Sequence, residues 1–194
     1  MSTVIQTNSI STEEYLQGEL TSEVKHELID GQAYAMAGAH ANHERISVNI
    51  LSELRAHLKN VPCEPFGSDM KVKAGLNFFY PDVTVDCDFD ESHPYYTETP
   101  IIIVEVLSKS TRKTDQTIKR RAYLNLPSLQ EYVLVAQDFV DVEVVRKSEG
   151  WQSSHYYLGD EVTFESIELT LSVEDIYHRV QNEDMLEFLA QKVE

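Results

Sequence analysis

Residues 101–107 read IIIVEVL and residues 131–136 read EYVLVA. Neither run alternates polar with apolar positions, so each predicts a strand covered on both faces. Between them, after Ser108–Thr114, the sequence predicts a helix to about Leu126, ended by Pro127. A helical crossover between two such strands argues for parallel pairing in a covered sheet. That unit confines the chain to an α/β architecture.

The flanking segments fit around it. Thr12–Leu16 predicts a short capped helix, and Lys25–Ile29 with Gln32–Met36 predicts a hairpin turning at Asp30-Gly31. Asn42 is expected to cap a helix to about Asn60, with Ile46, Ile50, Leu54 and Leu58 forming its apolar stripe. Met70–Lys73 predicts a short strand. Phe79–Phe89 predicts a longer one, with Val83, Val85, Cys87 and Phe89 on one face and Asp82, Thr84, Asp86 and Asp88 on the other. Val140–Lys147, Gln152–Leu158 and Val162–Leu171 predict a C-terminal β-meander, followed by one or two helices over Val173–Lys192. The expected fold is a mixed central sheet flanked by helices. At 194 residues, one domain over 1–194 is expected.

Sixteen Lys and Arg against 33 Asp and Glu leave a net charge of −17. Such a chain repels polyanions as a whole, so any nucleic-acid contact must be a local basic patch. The polar N-terminus does not read as a signal peptide, and Ile101–Val104 is far short of the roughly 20 residues of a membrane span. Cys63 and Cys87 have no ligand-like spacing. A reduced, cytoplasmic protein with no disulfide, zinc site or membrane contact is expected.

Glu105 is the anomaly of the central strand. Burying it unpaired would cost several kcal/mol, so it must be neutralised, paired or metal-bound. An arginine at the strand end would suffice, but Asp82 follows Pro81 in the preceding predicted strand. Neighbouring strands bring side chains within about 5 Å, close enough for two carboxylates to share Mg²⁺. A helix folding back over the sheet would bring Lys119 level with Glu105, since the two paths are about 12 and 10 Å. The simpler reading of Lys119 is a surface ion pair with Asp115, four residues earlier. Lys109, Arg112, Lys113, Lys119, Arg120 and Arg121 crowd residues 109–121, beside Ser110 and Thr111 at a predicted helix start. This window is either a phosphate-binding surface or a solvated basic face. Tyr123 reads as a core residue, and Asp86, Asp88, Asp90 and Glu91 as a solvated strand exit.

Taken together, Pro81-Asp82, Glu105-Val106-Leu107-Ser108, Ser110-Thr111, Asp115-x-x-x-Lys119-x-x-x-Tyr123 and Glu131-Tyr132 resemble the Uma-two family of restriction endonucleases. His26-Glu27-Leu28-Ile29-Asp30-Gly31 and His43 fit the same pattern, and the resemblance covers about residues 12–175. It implies the restriction-endonuclease-like fold of the PD-(D/E)XK superfamily and a Mg²⁺-dependent phosphodiesterase site, with Mn²⁺ as a substitute. Asp82 and Glu105 match the metal carboxylates, and the carbonyl of Val106 would complete the coordination. The superfamily lysine would stand at Leu107, so Lys119 is its expected replacement. Glu27 matches a further site carboxylate, His43 a substrate-contacting or helix-capping residue, and Glu44 an acid position of the wider fold. Lys109, Ser110, Arg112, Lys113 and Arg120 would hold the substrate backbone, DNA rather than RNA, and relatives of this fold often pair as homodimers. The expected activity is endonucleolytic. The alternatives are a catalytically silent module that binds nucleic acid or protein, and a hydrolase of small phosphate esters.

Overall fold

The structure, a computed structural model, describes residues 9–192. Helix α1 (Thr12–Glu19) opens on a capping box: Ser11 Oγ accepts the Glu14 N–H and the Glu14 carboxylate accepts the Ser11 N–H. Strands β1 (His26–Ile29) and β2 (Gln32–Ala35) form the expected hairpin. Its turn holds Asp30 at φ 49° and Gly31 at φ 78°, the pair of positive angles a two-residue hairpin turn requires. Helix α2 (Ala41–His57) buries Ile46, Ile50 and Leu54 completely.

Strands β3 (Glu64–Gly67), β4 (Lys71–Ala74), β5 (Asn77–Phe79), β6 (Val83–Asp86), β7 (Tyr96–Thr97) and β8 (Pro100–Leu107) follow. A helical stretch then runs through α3 (Arg112–Thr114), a π-helical turn (Asp115–Lys119) and α4 (Arg120–Tyr123). Strands β9 (Glu131–Ala136), β10 (Val142–Arg146), β11 (Ser153–Tyr156), β12 (Glu161–Phe164) and β13 (Leu169–Ser172) lead to helices α5 (Val173–Ile176) and α6 (Glu183–Gln191).

Two sheets carry the architecture. The larger has the order β11-β10-β9-β8-β6-β3, with β8 and β9 parallel and Glu105 opposite Leu134. The second has the order β2-β1-β5-β4-β7. One face of the larger sheet packs Ile102, Val104 and Val106 under α2 and α5. The other packs Ile103 and Leu107 against Tyr123, Tyr132 and Phe79. Thus β8 is covered on both sides, as its unbroken apolar run requires.

Several expectations are corrected. Phe79–Phe89 is two strands, because Pro81 cannot donate to a ladder: Phe79 pairs in the second sheet and Val83 opens β6 in the first. Both faces of β6 are covered, so Thr84 and Asp86 are fully buried instead of solvated. Asp86 persists there by accepting from the Thr97 and Thr99 hydroxyls and the Asp88 N–H. The last two strands leave the meander as a separate β12–β13 ribbon. Asn42 is not the cap of α2: His40 accepts the Asn42 N–H, and the Asn42 side chain bonds the Gln181 backbone in both directions. Cys63 and Cys87 form a disulfide, contrary to the expectation of free thiols. Pairing of Glu64 with Asp86 places the two cysteines side by side at the ends of β3 and β6. Among the described residues no helix is long and apolar enough to cross a membrane.

Candidate active site

Glu105 projects from β8 and is 3% exposed. Strand parity puts it on the face of Ile103 and Leu107, over which the helical stretch 112–123 folds back. Lys119 therefore reaches it, Nζ to Oε1 at 3.1 Å. The same ammonium lies 2.8 Å from Glu27 Oε1 of the hairpin and 3.3 Å from Asp115 Oδ1. Glu27 is fixed in turn by the Tyr80 N–H at 3.1 Å. Leu107, where the resemblance would put a lysine, is buried in the apolar layer, and the ammonium beside Glu105 is that of Lys119 on the helical stretch.

The π-helical turn sets this geometry. Its C-terminal N–H, from Arg120, donates to the Asp115 carbonyl five residues back, and the Tyr132 hydroxyl donates to that carbonyl at 3.1 Å. Wider turns of this kind recur where a helix must aim a functional side chain. Asp115 is 1% exposed, so it belongs to the site and not to a surface pair with Lys119. Tyr123 is a core residue as expected, but its hydroxyl also donates to Glu105 Oε1 at 3.0 Å. The i, i+4, i+8 spacing of Asp115, Lys119 and Tyr123, a motif of the family resemblance, puts all three on one side of the helical stretch.

Asp82 arrives from the other side, in the break between β5 and β6. Strand β6 pairs only as far as Val83 with Val104, which leaves the edge of β8 open beyond that point. Asp82 Oδ2 fills the opening by accepting the Val106 N–H at 2.6 Å. The carbonyl of a strand residue leaves on the same edge as its N–H, so the Val106 carbonyl faces the same gap. His43, in the first turn of α2, places Nε2 3.4 Å from Asp82 Oδ2. It touches the site and does not cap the helix. Glu44 is exposed.

Electrostatics follow from burial. Desolvation pushes the Glu105 carboxyl well above its usual range; Lys119 opposes this, while Asp115, Asp82 and Glu27 add to it. Desolvation likewise raises Asp82 to about 6 against the pull of His43, the Val106 N–H and Lys119. Burial alone would lower the Lys119 ammonium, but Glu105, Glu27 and Asp115 outweigh it and hold the proton more tightly than usual. Four acids thus surround one lysine, and the site carries a surplus of negative charge.

The basic window divides. Lys119 belongs to the site, and Arg120 turns to Glu143 at 2.7 Å and Ser153 at 3.1 Å, so those two do not join a free phosphate surface. Lys113 is exposed in α3, and Lys109 and Ser110 are exposed in the loop after β8. The hydroxyls of Ser108, Ser110 and Thr111 bond one another there. Arg112 lies 5.1 Å from the centre of the Phe139 ring.

Among the described residues no three His, Cys, Asp or Glu side chains gather as a protein-only metal cage. Mg²⁺ does not need one: it is held by one or two carboxylates and keeps waters or phosphate oxygens. Asp82 Oδ1 and Glu105 Oε2 have no hydrogen-bond partner among the described residues, since the recorded bonds use Oδ2 and Oε1. Those two oxygens, on carboxyls close enough for the Asp82 charge to raise Glu105, are the ones a small divalent cation would engage.

Three comparisons place the chain. A crystal structure of a "putative nuclease belonging to DUF820" from Anabaena variabilis superposes with a TM-score of 0.75, covering 89% of this chain and 99% of that one. At 19% identity the likeness establishes a shared fold. The Synechocystis protein slr1290 is 38% identical over 173 residues, 87% of this chain and 91% of its own. A second Synechocystis protein, sll1609, is 35% identical over 152 residues, 76% and 86% of the two chains. Residues 12–174 match the sequence model of Uma2, described as "Putative restriction endonuclease", and the chain belongs to that family.

Proposed function

We propose that this chain is a Mg²⁺-dependent endonuclease that hydrolyses phosphodiester bonds in DNA, with Mn²⁺ as a working substitute. One observation carries the reading: Glu105 and Lys119 meet inside the fold while Asp82 fills the open edge of the same strand one residue on. Asp82, Glu105 and the Val106 carbonyl would hold the ion, which when bound makes a coordinated water more acidic and offsets charge on the scissile phosphate. Lys119 keeps its proton, so it serves as a fixed positive charge that orients Glu105 and the phosphate and not as the base. Tyr123 and Glu27 fix the rotamers of Glu105 and Lys119. Lys109 in the loop after β8 and Lys113 in α3 are exposed to solvent, where a DNA backbone would run. Such contacts make binding fall steeply with salt.

The test is cleavage of plasmid and linear DNA with Mg²⁺, Mn²⁺ or EDTA. Asp82→Ala and Glu105→Ala should abolish cleavage and still melt cooperatively. Millimolar Mg²⁺ should raise the melting temperature of the parent by a few degrees and leave Glu105→Ala unmoved. Cleavage by either variant at the parental rate overturns the proposed roles. An absent metal shift, together with no cleavage by the parent, would favour the silent binding module.

A further inference from the structure

We infer that Phe139 is a stacking platform for an unpaired DNA base beside the scissile phosphate, which makes it a substrate-selecting residue; the inference rests on the nuclease reading above. Phe139 follows β9, the parallel neighbour of β8, and 43% of it is exposed. What sets this ring apart from other exposed apolar side chains is the frame beneath it and the guanidinium over it. The Tyr177 hydroxyl donates to the Ala136 carbonyl at 2.7 Å and lies 3.3 and 3.0 Å from the carbonyls of Phe139 and Asp141. It also accepts the Asp141 N–H at 3.1 Å, and Asp184 accepts the Val140 N–H at 2.7 Å. The ring is therefore held out by a rigid frame.

Its place is also fixed relative to the site. The Gln137 N–H meets the Leu107 carbonyl at 3.4 Å, two residues along the strand from Glu105, or about 7 Å. Asn42, which neighbours His43 in α2, is bonded to Gln181 just ahead of α6, the helix that supplies Asp184. Arg112 covers part of the ring at 5.1 Å; the exposed Lys113 follows it in α3, and the exposed Lys109 lies three residues before it in the loop after β8. An aromatic face backed by a guanidinium, with exposed lysines in the same stretch of chain as that guanidinium, is the chemistry that holds a single-stranded nucleotide: stacking on the base, charge on its phosphate. Gln137, 7% exposed, adds a buried Oε1 with no partner among the described residues, two positions before the ring. A fully paired duplex keeps its bases stacked, so the platform selects DNA with an unpaired or displaced base.

The experiment measures binding of fluorescein-labelled oligodeoxynucleotides to Glu105→Gln protein, which should bind without cutting. Phe139→Ala in that background should weaken binding of single-stranded DNA about tenfold, the size of one lost stack. Phe139→Trp should restore it. The salt dependence should be unchanged by Phe139→Ala, whereas Lys113→Ala should reduce the slope by about one ion. In otherwise wild-type protein, Phe139→Ala should slow cleavage of single-stranded or mismatched DNA more than cleavage of paired duplex. Equal binding by Phe139→Ala and its parent, or an equal loss on fully paired duplex, overturns the platform and leaves the nuclease reading standing. A parent that neither binds nor cuts any DNA overturns both.

Discussion

Arg146 and Lys119 are both cations buried among acids, at 3% and 4% exposure, on the larger sheet and on the helix that covers it. Around Arg146 the fold pairs the terminal guanidinium nitrogens and Glu131, leaving Nε without a hydrogen bond among the described residues. Its guanidinium donates to the Tyr156 hydroxyl and the Thr163 carbonyl, and it faces Glu131 at 3.5 Å. Glu131 accepts the N–H groups of Glu165 and Ser166 and the Ser166 hydroxyl, which fastens the β12–β13 ribbon to the sheet. Its other acids, Glu149 and Glu165, keep side chains 43% and 51% exposed. Around Lys119 the side chains of Glu27, Glu105 and Asp115 are 10%, 4% and 1% exposed. Two site acids are pushed upward by burial, and the charge does not balance. The first cluster is an anchor. The second is a site kept under electrostatic load, which a cation would relieve.

The largest expected effect comes from removing each cation. Lys119→Met strands three acids with little access to water and should cost about 3–5 kcal/mol of stability. Arg146→Met should cost less, because Glu149 and Glu165 reach solvent. Urea unfolding of both variants decides the matter. Equal losses would break the contrast between the clusters.

Neutralising one acid in each cluster gives the next effect, with opposite signs. Glu131→Gln puts an amide NH₂ among backbone and hydroxyl donors and should lose about 1–3 kcal/mol. Glu105→Gln removes a charge that burial disfavours and leaves Lys119 with Glu27 and Asp115. Its unfolding midpoint should match or exceed the parent's. A loss at Glu105→Gln as large as that at Glu131→Gln would mean that Glu105 is also an anchor.

The sequence carried the two clusters unequally. Glu105 stood out because one acid in IIIVEVL has no business in a core unless something meets it, and helix arithmetic named Lys119 as the partner. The doubly covered β8–β9 pair and the hairpin turn were legible because period and turn chemistry are local. Asp115 was misread as a surface partner: its burial depends on a π-helical turn that no apolar pattern announces. The break at Pro81 was hidden by an alternation that continued across it, and burial of Asp86 depended on Thr97 and Thr99, which are remote in the chain. The Cys63–Cys87 bond depends on strand register, which residue spacing does not encode. Phe139 gave no signal, since a lone aromatic after a strand reads as packing until its exposure is known.

The smallest effect concerns pH, measured in EDTA so that no cation shares the site. Asp82 rises from the ordinary aspartate range to about 6, chiefly through desolvation. Between roughly pH 4 and 6 the folded protein therefore holds a proton that the unfolded chain has released, so stability falls as pH rises through that interval. At pH 7 the full penalty is present, and at pH 5 about 1 kcal/mol of it has been relieved. Asp82→Asn has no such group, so parent and variant should converge by that amount when unfolding is compared at the two pH values. Repeating the comparison in a His43→Gln background removes the imidazole that touches Asp82. Convergence that survives there belongs to the buried carboxyl. A constant gap would mean that Asp82 is ionised as freely as in water, and the site would lose half of the load that separates it from the Arg146 anchor.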